Sequence, residues 1–192
     1  MKQSIVCILV ALLLVSCKDS PVPKPRGYFR IDLPEKKYKQ QLTDCSFNFE
    51  IPAYATYQKR NDKKDECWFN LNFPQFKAQV HFTYRPIKDD LRKLLDDSYS
   101  MAVEHQVKAN DIQKILISND STCVYGLIFR LDGAVATPIQ LYLTDSVNHF
   151  LRGSLYFNSR TNSDSLAPII QFIEADIIHL ANTLHWNKSA CN

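Results

Sequence analysis

Two periodicities share this chain, and their order limits the folds open to it. Apolar and polar residues alternate in Cys45–Ile51, where Cys45, Phe47, Phe49 and Ile51 fall on one side, and again in Cys67–Phe73 and Phe76–Tyr84. A period of two marks a strand with one buried face. The period then becomes helical from Asp89 to about Val107, with Leu91, Leu94, Leu95, Ser98, Met101, Ala102 and His105 on one stripe. Alternation returns in Ile112–Ser118, Thr122–Leu131, Val135–Thr144 and His149–Phe157. A second helix is expected from Asp164 to near Trp186, with Asp164 or Ser165 as cap and Pro168 in its first turn. Asn119-Asp120, Asp132-Gly133 and Asp145–Asn148 read as hairpin turns, the second of type I′. Links this short pair successive strands antiparallel. The expected class is therefore α+β, a mostly antiparallel sheet of about seven strands with two packed amphipathic helices. Thr122–Leu131 is apolar on both sides, which suits a strand at the sheet centre.

The N-terminus has a different logic. Lys2 is followed by an apolar run from Ile5 to Val15, then by Leu14-Val15-Ser16-Cys17. A run of about 11 residues is too short to span a bilayer, which takes roughly 20, and it suits a secretory signal. Leu-Val-Ser-Cys reads as a lipobox. Cleavage before Cys17 leaves a thiol able to carry diacylglycerol, and two or three acyl chains make a stable anchor. Residues 1–16 are thus expected to be removed, and 17–38 to form a lipidated tether with Pro21, Pro23, Pro25 and Pro34. Residues 39–186 would form one globular domain, and 187–192 a tail. Within the tether, Tyr28, Phe29, Ile31 and Leu33 between basic residues form a short apolar motif. It is expected to dock on the domain itself or on a partner.

A net charge of +3, dispersed along the chain, argues against nucleic acid as a partner. Once Cys7 and Cys17 are set aside, Cys45, Cys67, Cys123 and Cys191 remain, with three possible pairings. Buried free thiols are as compatible with the pattern as bridges. Neither Cys-x-x-Cys nor a cluster of the scattered histidines suggests a metal, and no cofactor is expected. The best polar constellation is His105, Lys108, Asp145, His149 and Arg152, which converges if the first helix covers the start of the last strand. Gly-x-Ser-x-Gly, His-Glu-x-x-His and phosphate-loop patterns do not occur. The chain is therefore read as a non-enzyme with no small-molecule substrate, the alternatives being a periplasmic hydrolase or a glycan- or small-ligand-binding lipoprotein.

Several blocks carry a family resemblance: Pro23–Pro34 after the lipobox, Cys67–Pro74, His105–Ala109, Leu143–Phe157, and Asn162–Pro168 with the closing Trp186. Together they resemble the gliding motility lipoprotein GldD family of Bacteroidetes. The chain departs from the family's Gly-Asn-x-Ala-Ser at Gly133–Thr137, which reads Gly-Ala-Val-Ala-Thr. The element order is also similar to that of the PsbP/Mog1-type αβα sandwich. The resemblance implies a membrane-anchored component of gliding and type IX secretion, meeting other proteins of that machinery as a scaffold or assembly factor. Only one acidic residue, Asp19, closely follows Cys17, so the periplasmic side is expected, with the outer membrane favoured over the inner. Ser121, Ser146 and Ser165 sit in Asp-Ser-hydrophobic contexts associated with O-glycosylation in this phylum, contexts equally suited to turns and caps.

Overall fold

The computed structural model describes residues 31–60, 67–104, 109–158 and 163–187. Three strands come first, β1 (Tyr38–Gln41), β2 (Phe47–Pro52) and β3 (Thr56–Lys59). Then follow β4 (Phe69–Phe73), β5 (Ala78–Pro86), helix α1 (Leu91–Glu104), and strands β6 (Ala109–Asn119), β7 (Val124–Gly133), β8 (Ile139–Thr144) and β9 (His149–Phe157). Helix α2 (Ser163–Thr183) and a short β10 (His185–Trp186) complete the chain. Seven strands form one antiparallel sheet in the order β3-β4-β5-β9-β8-β7-β6. The chain builds β3 to β5 as a meander, crosses to the far edge through α1, and winds back until β9 closes against β5.

The two helices lie on opposite faces of this sheet. Ile128 and Phe129 are neighbours on β7, so their side chains point to opposite sides. Ile128 joins the large core with Ile173, Ile177 and Leu180 of α2, whereas Phe129 joins Ala102 of α1. The large core is aromatic: Phe69 stacks on Phe82 at 4.6 Å and on Phe49 at 5.3 Å. The α+β expectation, with two helices on a seven-stranded antiparallel sheet, matches what is seen.

Membership of that sheet differs from the expectation. The strand expected at Cys45–Ile51 runs from Phe47 to Pro52, and it pairs with β1 and β10 in a separate three-stranded sheet. Its place in the large sheet is taken by β3, whose exposed residues gave no alternation to read. Strand β7 is covered on both faces, as its composition implies, yet β9 rather than β7 is central. Asp132-Gly133 is not a two-residue turn: β7 continues to Gly133, whose φ is 119°, and β8 begins only at Ile139. The Leu131 N–H bonds the Pro138 carbonyl at 2.8 Å, closing a longer loop.

Helix α1 starts later than expected because Asp89 is left-handed (φ 58°), while Asp90 takes the Lys88 N–H on its carboxylate at 2.9 Å. Pro168 lies inside α2 rather than in its first turn. The helix ends at Thr183, three residues short of Trp186. There the Thr183 hydroxyl donates to the His179 carbonyl and accepts the Glu50 N–H of β2, which ties the helix end to the small sheet.

A disulfide joins Cys45 to Cys67, with Cα atoms 5.8 Å apart. It staples the start of the β2 strand in one sheet to the approach to β4 in the other. Cys123 is also disulfide-bonded.

Candidate functional site

The tether enters the described structure at Ile31, which is half-buried, and Leu33 is 43% exposed. Tyr28 and Phe29 lie outside the described residues. What fixes the segment to the domain is polar and comes slightly later. Asp176 sits on the apolar face of α2, fully buried between Ile173 and Leu180. A buried carboxylate needs partners in place of water. Its Oδ1 takes the Lys36 ammonium at 2.5 Å and the Tyr38 hydroxyl at 3.0 Å, and its Oδ2 takes the Tyr54 hydroxyl at 2.5 Å. The Lys36 Nζ also donates to the Phe172 carbonyl at 2.7 Å and lies 3.6 Å from the centre of the Phe172 ring. Burial, and then the neighbouring Asp176 carboxylate, raises the Tyr38 phenol to about 12 and pushes Tyr54 up further. This clamp was not singled out from the sequence. Its signal was there: of the two carboxylates in Ile173–Leu180, Asp176 falls on the apolar stripe with Ile173, Ile177 and Leu180.

Asp145 and His149 flank the β8–β9 turn, and both are buried. Asp145 Oδ1 accepts the backbone N–H groups of Val147, Asn148 and His149 at 2.8–3.0 Å. Thr144 donates its hydroxyl to the His149 carbonyl at 2.7 Å, and Ser146 takes the left-handed conformation (φ 66°). The imidazole of His149 bonds the Tyr84 hydroxyl through Nδ1 at 2.8 Å and stacks on Trp186 at 5.0 Å. Asp145 therefore shapes the turn, and His149 is packed between a phenol and an indole.

The expected convergence with Arg152 does not occur. His149 turns toward Tyr84 and the large core, whereas Arg152, three residues on, points to the α1 face. Odd and even positions of one strand face opposite ways. His105 and Lys108 lie outside the described residues.

On the α1 face, Arg152 donates to Gln140 Oε1 at 2.7 Å. The Gln140 amide nitrogen is held by Thr137 Oγ1 at 3.1 Å and the Met101 carbonyl of α1 at 3.4 Å. Burial works against the guanidinium charge and lowers the Arg152 pKa from its ordinary value. A cleft of about 630 Å³ opens here between α1 and strands β5 and β9, with Trp68, Arg85, Asp90, Asp97 and Phe150 in its walls. A neighbouring hollow of about 330 Å³ shares Thr83 and Arg152 with it and adds His81 and Tyr156. His81 bonds Asn70 at 2.7 Å, and burial, followed by the Arg60 charge, lowers its pKa. The cleft is assembled from strands distant in sequence, so no local motif announced it.

Comparison with known proteins adds a family. The model of the gliding motility lipoprotein GldD family matches residues 18–186, most of the chain. No curated protein matches. Among solved structures, the solution structure of cyanobacterial PsbP (CyanoP) from Synechocystis sp. PCC 6803 is similar, with 12% identity and a TM-score of 0.45. It covers 82% of this chain and 97% of its own. Among the described residues, no helix is long and apolar enough to cross a membrane.

Proposed function

The chain belongs to the gliding motility lipoprotein GldD family, and from that membership we propose that it works as a lipid-anchored scaffold or assembly factor of the gliding apparatus. Type IX secretion is the process it would serve alongside gliding. The observation that carries this reading is the order Cys17, proline-rich tether, clamp. Acyl chains on Cys17 would hold the protein at the membrane. The prolines between Lys18 and Pro25 suit a spacer between that anchor and the domain. The clamp on Asp176 fixes where the tether leaves the domain.

A non-enzymatic role fits the polar groups near the β8–β9 turn. Asp145 Oδ1 is engaged by three backbone N–H groups, and His149 bonds Tyr84 through Nδ1 and stacks on Trp186. The apolar motif Tyr28, Phe29, Ile31 and Leu33 is the part of the tether best suited to contact a partner, and Leu33 is exposed for it. On this reading the protein faces the periplasm from the outer membrane.

Crosslinking in live cells, followed by mass spectrometry of the captured proteins, tests the assignment. Gliding or secretion components recovered with the wild type, and lost when Leu33 is changed to Asp, are the expected result. Gliding fully restored by a soluble, unlipidated form with no captured partner would overturn it.

A further inference from the structure

The cleft beside α1 has a chemistry that the tethering role does not use. A half-buried arginine ordinarily meets a carboxylate, because a partly desolvated cation needs a strong acceptor. Among the described residues, Arg152 has no such partner. Its one hydrogen bond goes to a neutral amide oxygen, that of Gln140. Gln140 cannot turn to offer more, since its nitrogen is committed to Thr137 and Met101. The planar guanidinium has five N–H donors in a fork that matches a carboxylate. Those it has left border both hollows, whose shared walls are Arg152 and Thr83.

The rest of the cleft narrows the ligand. Arg85 and Lys88, both exposed, add positive charge on the β5 side. Asp90 and Asp97 face them from the helix side. The side chains of an acidic peptide could satisfy Arg152 but bring the two aspartates no hydroxyl donor. A sugar has hydroxyls that donate to aspartate carboxylates, and C–H faces that pack on aromatic rings such as Trp68 and Phe150. The volume lies within the usual range for a bound small molecule, ~300–1,000 Å³.

We propose that this cleft binds a carboxylate-bearing glycan, with the acid group on Arg152 and hydroxyls on Asp90 and Asp97. The inference does not rest on the scaffold reading, and its test is made on purified protein rather than in cells.

Titration calorimetry on the full chain in detergent compares three probes: tetragalacturonate, its methyl ester and tetraglutamate. The expected result is binding of tetragalacturonate, with the ester and the peptide each weaker by about tenfold or more, as the loss of a charge-assisted fork implies. Arg152→Gln should weaken tetragalacturonate by a similar factor at unchanged Tm. Where that variant fails to fold, exposed Arg85→Gln substitutes for it, with a loss of about threefold expected from one screened charge. No binding of tetragalacturonate at millimolar concentration, or equal binding of the ester, overturns the proposal. Equal binding of tetraglutamate overturns it in favour of an acidic peptide. Unchanged affinity in the folded variant also overturns it.

Discussion

Asp176 is the residue on which the tether's attachment turns. Its carboxylate is fully buried and accepts from an ammonium and two phenols. Removing the acid strands Lys36 against α2 without its counter-charge. Asp176→Ala should therefore cost about 3–5 kcal/mol, the usual penalty for breaking a buried pair from one side. Urea denaturation measures it, and a loss below about 1 kcal/mol would mean that the clamp is dispensable.

The same clamp sets a high-pH limit. Tyr38 and Tyr54 have raised pKa values in the folded state, so the native chain holds those protons more tightly than the unfolded one. Their contribution is complete below pH 10 and is lost as pH rises toward about 12. Stability measured against pH should fall across that window, and less steeply in a Tyr38→Phe, Tyr54→Phe double variant. Gly126 is constrained by space instead: a Cβ there would sit 2.0 Å from the Tyr142 carbonyl oxygen of the paired strand. Gly126→Ala forces β7 and β8 apart and should cost about 1–3 kcal/mol, read as a lower denaturation midpoint.

Among the elements, β2 carries the most structural responsibility. It is the middle strand of the small sheet, its Phe47, Phe49 and Ile51 fill the core under α2, and the Cys45–Cys67 bridge ties its start to the large sheet. Replacing both cysteines by alanine should cost about 2–5 kcal/mol, visible as a drop in Tm. The strand was legible as a strand, because strict alternation reports which face is buried. Alternation says nothing of which strand lies alongside, so its sheet was not legible. β1 and β3 hold no buried residue and β10 is two residues long, too little pattern for any periodicity to register. The helices were legible to within a few residues. Their ends were set by details that periodicity does not carry: a left-handed Asp89, and a Thr183 hydroxyl recruited by β2. Of the polar constellation, Asp145 and His149 meet at the β8–β9 turn, whereas Arg152 faces the other way by the parity of its own strand. The Asp176 clamp pairs residues more than a hundred positions apart, and only its carboxylate on an apolar helix face hinted at it.

For the whole molecule, fold and address are separate properties. The sheet, its helices and the cleft account for a stable domain. The family accounts for gliding as the setting. Neither supplies the attachment that would bring the domain to its partners. On the proposed reading that falls to Cys17 and the tether, which Lys36 pins to α2. The account then predicts that Cys17→Ala abolishes gliding while the domain stays folded, since the core and the clamp are built from residues 36 onward. Growing cells labelled with radioactive palmitate give the most direct reading. Label should appear on the wild-type protein in the membrane fraction and be absent from Cys17→Ala. Unlabelled wild-type protein, or a Cys17→Ala product still labelled and membrane-bound, would contradict the account.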